Sequence, residues 1–339
     1  MRTTRRQLLT GTLALMALGG LAGCASAEDP PVAGERSTSG QSMEPTHLTI
    51  GLTYIPNVQF SPFYVARDQG LFAERGLDVT LRHHGAQEDS FGALLSGKED
   101  VVFASGDEVV VASATGATLA TFATGFQQFP GVLLAPADSG ITSVEDLRGR
   151  TIGMPGHYGS SYYTVLAALH LAGLEDTDVK LQDIGFTQVT ALMTGRVDVV
   201  VGYSNNETVQ FANAGFDVVE LAVQDPDTPT LVGPGLTTVP DQLDDAVLRG
   251  LKAALLEAER RILADPDVAI DATGKEVPTL SEPDQEETAR AVLAATSKLW
   301  LRDGEPSLEV DSAAFDRMGQ FLTEAGIIEV PPRDPTVVV

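Results

Sequence analysis

Val197-Asp198-Val199-Val200-Val201-Gly202 sets valine or aspartate at five successive positions before a glycine. So short and so apolar a run, with no polar alternation, reads as a strand buried on both faces. The polar turn Tyr203-Ser204-Asn205-Asn206-Glu207 follows it, then a helical stretch over 208–213 that stops near Gly215. Working outward, the same grammar repeats on both sides. Upstream lie a helix over 188–193 before Gly195, a strand over 179–182, a helix over 160–172 ended by Gly173, and the strand Thr151-Ile152-Gly153-Met154. A further strand spans 216–221. Earlier still, Leu48-Thr49-Ile50-Gly51-Leu52 reads as a strand, 63–75 as a helix stopped by Gly76, Leu77-Asp78-Val79-Thr80-Leu81 as a strand, 90–96 as a short helix, 100–104 as a buried strand and 107–114 as a helix. Strands alternating with helices predict parallel sheets covered by helices on both faces.

The pattern restarts at about residue 142, so the chain holds two α/β halves. Segments 129–135 and 231–238 are extended and bounded by Pro or Gly, and read as two crossovers between lobes. After Pro240 the chain turns helical, with apolar residues at helical spacing over 244–263, 282–300 and 312–325; these helices are expected to pack on the first lobe. The fold class is α/β: two lobes, each a mostly parallel sheet flanked by helices, joined by two crossovers around a ligand cleft. The boundaries are 47–134 for the first part of lobe 1, 135–233 for lobe 2 and 234–339 for the return to lobe 1.

The N-terminus reads as an address. Arg2, Arg5 and Arg6 precede an apolar stretch over 8–22 that ends Leu21-Ala22-Gly23-Cys24. This basic, apolar, small-residue order is an export signal over 1–23, too short and Gly-rich for a membrane span. Cys24 is the one cysteine, so no intrachain disulfide or cysteine metal pair is available. Leu-Ala-Gly-Cys resembles the bacterial lipobox, which implies cleavage before Cys24, lipid on its thiol and anchorage to the outer face of the cell membrane. Thr4-Arg5-Arg6-Gln7-Leu8-Leu9 also resembles a twin-arginine signal, leaving both export routes open. Residues 24–46 lack apolar periodicity and read as a flexible tether. Loss of Arg2, Arg5 and Arg6 takes the net charge from −25 to −28. Such acidity, with no Lys/Arg cluster, excludes a nucleic-acid partner.

Further motifs narrow the family. Tyr54-Ile55-Pro56-Asn57-Val58-Gln59-Phe60-Ser61-Pro62-Phe63-Tyr64-Val65-Ala66, Gly70-Leu71-Phe72, Ser105-Gly106-Asp107-Glu108, Asp146-Leu147-Arg148-Gly149-Arg150-Thr151-Ile152-Gly153-Met154-Pro155-Gly156 and Gly202-Tyr203-Ser204-Asn205-Asn206-Glu207 occur in that order. Together they resemble the SsuA/THI5-like (NMT1/THI5-like) substrate-binding proteins of ABC importers. The Tyr-Ile-Pro-Asn-Val-Gln-Phe form is most similar to the riboflavin and thiamine-pyrimidine-precursor branch. The resemblance implies a periplasmic-binding-protein fold, a small-molecule ligand, an importer permease as partner and a monomer without cofactor. One departure is Thr208, where the family usually has Pro after Asn-Glu.

The candidate ligand residues sit at strand ends, where open α/β sheets bind ligands. Tyr54, Asn57, Gln59, Phe60 and Tyr64 combine aromatic faces with amide edges that can sandwich and read a planar ring. Asn57 follows Pro in a loop and is read as a site residue; Phe63 is read as core. Ser105, Asp107 and Glu108 open a helix and either cap it or meet the ligand. Tyr158, Gly159, Ser160 and Ser161 form the matching turn of lobe 2, and no Lys-Ser/Thr follows to make a P-loop. Tyr203, Asn205 and Glu207 end the valine strand, where a carboxylate can accept from a ring N–H. His83 and His84 are neighbours on a strand, facing opposite sides and poorly placed for a metal. No hydrolase elbow or HExxH occurs.

The function expected is capture of a planar heteroaromatic vitamin or precursor for import. An alkanesulfonate, taurine or nitrate binder of the same fold is the alternative, disfavoured because residues 54–64 hold no Arg or Lys. A THI5-like pyrimidine synthase is disfavoured because the fungal enzymes carry a Cys-rich motif. A sensory or adhesive surface lipoprotein remains as a third class.

Overall fold

The computed structural model describes residues 44–85, 88–224, 229–332 and 335–336. The export signal, Cys24 and the tether as far as residue 43 lie outside the described residues.

The first lobe opens with β1 (Thr46–Leu52), α1 (Ser61–Asp68), β2 (Leu77–His83), α2 (Gly92–Leu95), β3 (Val101–Ser105), α3 (Gly106–Ala114) and β4 (Ala120–Thr124). The second lobe is β5 (Gly131–Pro136), β6 (Thr151–Met154), α4 (Gly159–Leu171), β7 (Lys180–Asp183), α5 (Gln188–Met193), β8 (Val199–Tyr203), α6 (Glu207–Asn213) and β9 (Val218–Leu221). The chain returns as β10 (Pro234–Thr238). It then adds α7 (Asp245–Ala264), α8 (Asp267–Glu276), α9 (Pro283–Leu299), the small pair β11 (Leu301–Arg302) and β12 (Glu305–Pro306), and α10 (Ser312–Glu324).

The sheets have the orders β2-β1-β3-β10-β4 and β7-β6-β8-β5-β9. Pairs β1–β2, β1–β3, β6–β7 and β6–β8 are parallel. In each sheet one strand runs against the rest: β10 lies antiparallel between β3 and β4, and β5 antiparallel between β8 and β9. The segments expected to be bare crossovers are therefore largely these two reversed strands. Gly131–Leu134, expected in lobe 1, pair with Tyr203 back to Val200 in the second sheet, so the change of lobe falls between Thr124 and Gly131.

Period-two geometry explains the cores. Val199 and Val201 join Leu133, Ile152 and Val165 on one face, while Val200 joins Leu134, Ile184 and Phe211 on the other. The valine run is thus enclosed on both sides. In lobe 1, Val101 and Phe103 face a cluster with Tyr64, Leu251, Val292 and Trp300, while Val102 and Ala104 face Val109 and Leu119. Leu248, Leu251, Leu255, Ala258 and Ile262 recur along one face of α7 and seat it on lobe 1 as expected.

Helix α10 departs from that expectation. Its Phe315, Met318 and Leu322 are buried with Leu133, Val165 and Leu231 of the second lobe and with Val110 of α3. It fills the seam behind the two lobes rather than the outer face of the first. The reason is geometric: α3 and α4 pack against each other, and the apolar stripe of α10 covers their shared groove. Gly106 fits this seam closely, since a Cβ there would lie 2.9 Å from Val232 Cβ and 3.1 Å from Met318 Cε. Truncation by Phe315→Ala is expected to cost ~3–5 kcal/mol in urea unfolding. A loss below about 1 kcal/mol would show that α10 contributes no core.

Candidate ligand-binding site

The carboxyl ends of β1, β3, β6 and β8 converge on one cavity between the lobes. It holds ≈ 1080 Å³ of atom-free space, the open solvent at its mouth included. From lobe 1, Tyr54, Gln59, Phe60, Ser105 and Glu108 line it; from lobe 2, Tyr158, Gly159, Ser160, Ser161, Tyr203 and Glu207. The sequence reading placed all of these at the site.

Four expected residues do not line it. Asn57 takes a structural role instead: its Oδ1 accepts from Gln59 N at 3.2 Å and caps a short helical turn over Val58–Phe60. Tyr64 is fully buried, and its hydroxyl bonds His83 Nε2 at 2.9 Å. Asp107 lies behind the wall, and Asn205 Nδ2 donates to Thr296 Oγ1 at 2.9 Å in the interface of α6 with α9. The cavity also gains residues the sequence did not flag, among them Phe103, Phe126, Phe186, Gln188 and His84. Phe186 meets Tyr54 edge to face, with ring centroids 4.9 Å apart across the cleft. The Phe residues were legible only as core hydrophobes, because nothing local separates a cavity wall from a core.

The lobes are closed on each other around this space. Ser160 Oγ donates to Asp107 Oδ2 at 2.9 Å and lies 3.2 Å from Ser105 Oγ, so the start of α4 is tied to the start of α3. Gly159 takes φ +67°, and a Cβ there would sit 3.1 Å from Glu108 Oε1, a close approach that glycine alone accepts without strain.

The polar equipment is acidic and neutral, not basic. Among the described residues no Lys or Arg lines the cavity. Glu108 accepts from Ser90 Oγ at 3.0 Å and Ser105 N at 3.2 Å. Glu207 accepts from Tyr203 N at 2.8 Å and Asn206 Nδ2 at 2.9 Å. Burial raises the pKa of both carboxyls. Asp107 is pushed up to about 7, first by burial and then by the charge of Glu108. Burial likewise raises the Tyr54 and Tyr203 phenols, so both remain neutral donors at ordinary pH. Among the described residues no cluster of three or more His, Cys, Asp or Glu side chains is placed for a metal ion.

A cleft between two α/β lobes, lined by aromatic rings and partnered carboxyls, is the architecture of a solute-binding protein. The profile of the NMT1/THI5 like family matches residues 57–269, and the chain belongs to that family. The riboflavin-binding protein RibY of Chloroflexus aurantiacus is 32% identical over 308 residues, covering 89% of this chain and 88% of that protein. The 4-amino-5-hydroxymethyl-2-methylpyrimidine phosphate synthase of Legionella pneumophila is 25% identical, covering 52% of this chain and 56% of the enzyme. Among solved structures, the alkanesulfonate-binding protein SsuA from Xanthomonas axonopodis pv. citri bound to MOPS superposes with TM-score 0.68 at 18% identity. It covers 88% of this chain and all of that one, and it carries the fold alone.

The raised Asp107 has a measurable consequence. Its ordinary pKa of 3.8 applies in the unfolded chain and about 7 in the folded one, so the folded state holds the extra proton between those values. Its contribution is therefore complete below about pH 4 and is lost as pH rises toward and through 7. Asp107→Asn is expected to flatten the fall in melting temperature between pH 5 and 8; an unchanged slope would exclude Asp107 as its source.

Proposed function

We propose that this protein captures a flat heteroaromatic solute of flavin type and presents it to an ABC importer permease, binding it without turning it over. The observation that carries the reading is the lining of the cavity: aromatic faces from both lobes, hydrogen-bonding edges at Glu108, Glu207 and Gln188, and no Lys or Arg among the described residues. A planar ring with ring N–H donors suits such a wall, since the faces stack and the carboxyls accept. The similarity to a riboflavin-binding protein over nearly the whole chain supports the same ligand class.

A sulfonate demands a fixed positive charge or a ring of N–H donors, and buried carboxyls repel it. The fold shared with SsuA therefore does not extend to its ligand. The match to the pyrimidine synthase keeps an aminopyrimidine within the same chemical class. In this reading the protein works outside the cytoplasm as a monomer, held to the membrane by lipid on Cys24.

Titration calorimetry of the mature protein against riboflavin, an aminopyrimidine and an alkanesulfonate tests the reading. Riboflavin is expected to bind, with the aminopyrimidine weaker and the sulfonate silent. Glu207→Ala is expected to weaken binding by ~1–3 kcal/mol, while Asn57→Ala, which removes only a turn cap, has a smaller effect. Preferential binding of the sulfonate would refute the assignment.

A further inference from the structure

The two lobes repeat each other closely enough to be compared place by place. Ala93-Leu94-Leu95-Ser96-Gly97 closes α2, and Ala191-Leu192-Met193-Thr194-Gly195 closes α5. Three residues after each glycine stands an aspartate with the same task. Asp100 Oδ2 accepts from Thr49 N of β1 at 2.8 Å, and Asp198 Oδ2 accepts from Thr151 N of β6 at 2.7 Å. The carboxyls of the cavity wall match as well: Glu108 accepts from Ser105 N at the end of β3, and Glu207 from Tyr203 N at the end of β8.

Counting back three residues from Ala93 and from Ala191 sets Ser90 against Gln188, and both line the cavity. Ser90 is committed, since its hydroxyl donates to Glu108 Oε1 at 3.0 Å. In lobe 2 the matching carboxyl, Glu207, takes its side-chain donor from Asn206 at 2.9 Å, so the corresponding task does not fall to Gln188. Gln188 is 7% exposed, and its side-chain amide has no hydrogen-bond partner among the described residues. That amide is nonetheless reachable: the described residues whose unpartnered polar atoms are closed to contact do not include Gln188. Its backbone is held firmly. Thr187 Oγ1 donates to the Ile184 carbonyl at 2.6 Å, and Ala191 and Leu192 seat α5 in the core. Buried polar groups are normally hydrogen-bonded, so an uncommitted amide in a cavity wall calls for a partner from outside the protein.

We propose that Gln188 is a specificity-determining residue, whose side-chain amide reads an amide-type edge of the bound ring: it donates to a ring carbonyl or ring nitrogen and accepts from the adjoining N–H or amino group. This deepens the flat-heteroaromatic reading and rests on it. A primary amide carries donor and acceptor side by side, and rotation of its terminal group suits either order on the ring. Glu108 and Glu207, when ionised, only accept, whereas Gln188 also donates. The aromatic walls then hold the faces of the ring while Gln188 reads its rim.

The test compares wild type, Gln188→Met and Gln188→Glu by titration calorimetry against riboflavin and its N3-methyl analogue, with melting curves to establish folding. Wild type is expected to prefer riboflavin, because methylation removes the ring N–H beside a carbonyl. Gln188→Met, close in size and without a polar hydrogen, is expected to bind riboflavin about 5- to 50-fold more weakly and to lose most of that preference. Gln188→Glu keeps the shape and an acceptor, so it is expected to retain part of the preference at reduced affinity, and it carries the comparison should the Met variant not fold. Wild type that binds the two flavins alike would overturn the proposal. So would a wild-type preference in the Met variant, or wild-type affinity in the Glu variant. Should the aminopyrimidine be the ligand that binds, the same comparison runs against its N-methylamino analogue. Absence of wild-type binding to both flavin and aminopyrimidine would instead defeat the ring-ligand reading, and this inference with it.

Discussion

A hydroxyl of one lobe meets a buried carboxyl of the other at the edge of the cavity. Ser160 donates to Asp107 at the point where α4 and α3 begin, and both residues are buried. A buried carboxyl without such a partner would be costly to enclose. The contact sets the two strand-end turns face to face, so the walls they carry close on one space. The edge contact of Tyr54 with Phe186 and the bond of Asn205 to Thr296 hold the same closure at other points around it. Helix α10 supports the seam from behind, packing on the elements that Ser160 and Asp107 begin.

Charge is distributed in two different ways. The chain as a whole is strongly acidic, with a formal charge of −25, and most of that sits on the exterior, where it favours solubility and discourages anionic solutes. The carboxyls at and behind the cavity wall are another population. Burial raises the pKa of Asp107, Glu108 and Glu207, and each is supplied with hydrogen bonds from serine, asparagine or backbone N–H groups. The cleft therefore presents polar groups whose geometry is fixed by the protein before any solute enters, a form of preorganisation that limits the ordering cost of binding.

Much of this was legible in the residues. The valine run of β8 announced a strand enclosed on both faces, and Gly173, Gly195 and Gly215 marked where α4, α5 and α6 end. The turns at Ser105, Gly159 and Tyr203 were legible because a strand end followed by a helix start is where such sheets bind ligands. Asn57 misled because an amide after proline looks the same whether it caps a turn or meets a solute. Asp107 and Asn205 misled because polar residues in an interface between lobes have the same local pattern as polar residues in a cleft. His84 was set aside as half of a poor metal pair; its partner Glu99 comes fifteen residues later, beyond any local motif. The reversed strands β5 and β10 were hidden because a strand that pairs with distant neighbours leaves only a short, Pro- or Gly-bounded trace.

The place of β10 between β3 and β4 has a consequence for the order of assembly. The second lobe is continuous in the chain, and every strand of its sheet lies between Gly131 and Leu221. The first sheet is not continuous: β4 has no neighbour in it until Pro234–Thr238 slot in beside it. In a chain made from its N-terminus, the later-numbered lobe can finish its sheet while the earlier one still waits with an open gap. The half that begins first is completed last, and its solute-facing turn at Ser105 takes its final setting only after the other half is already built.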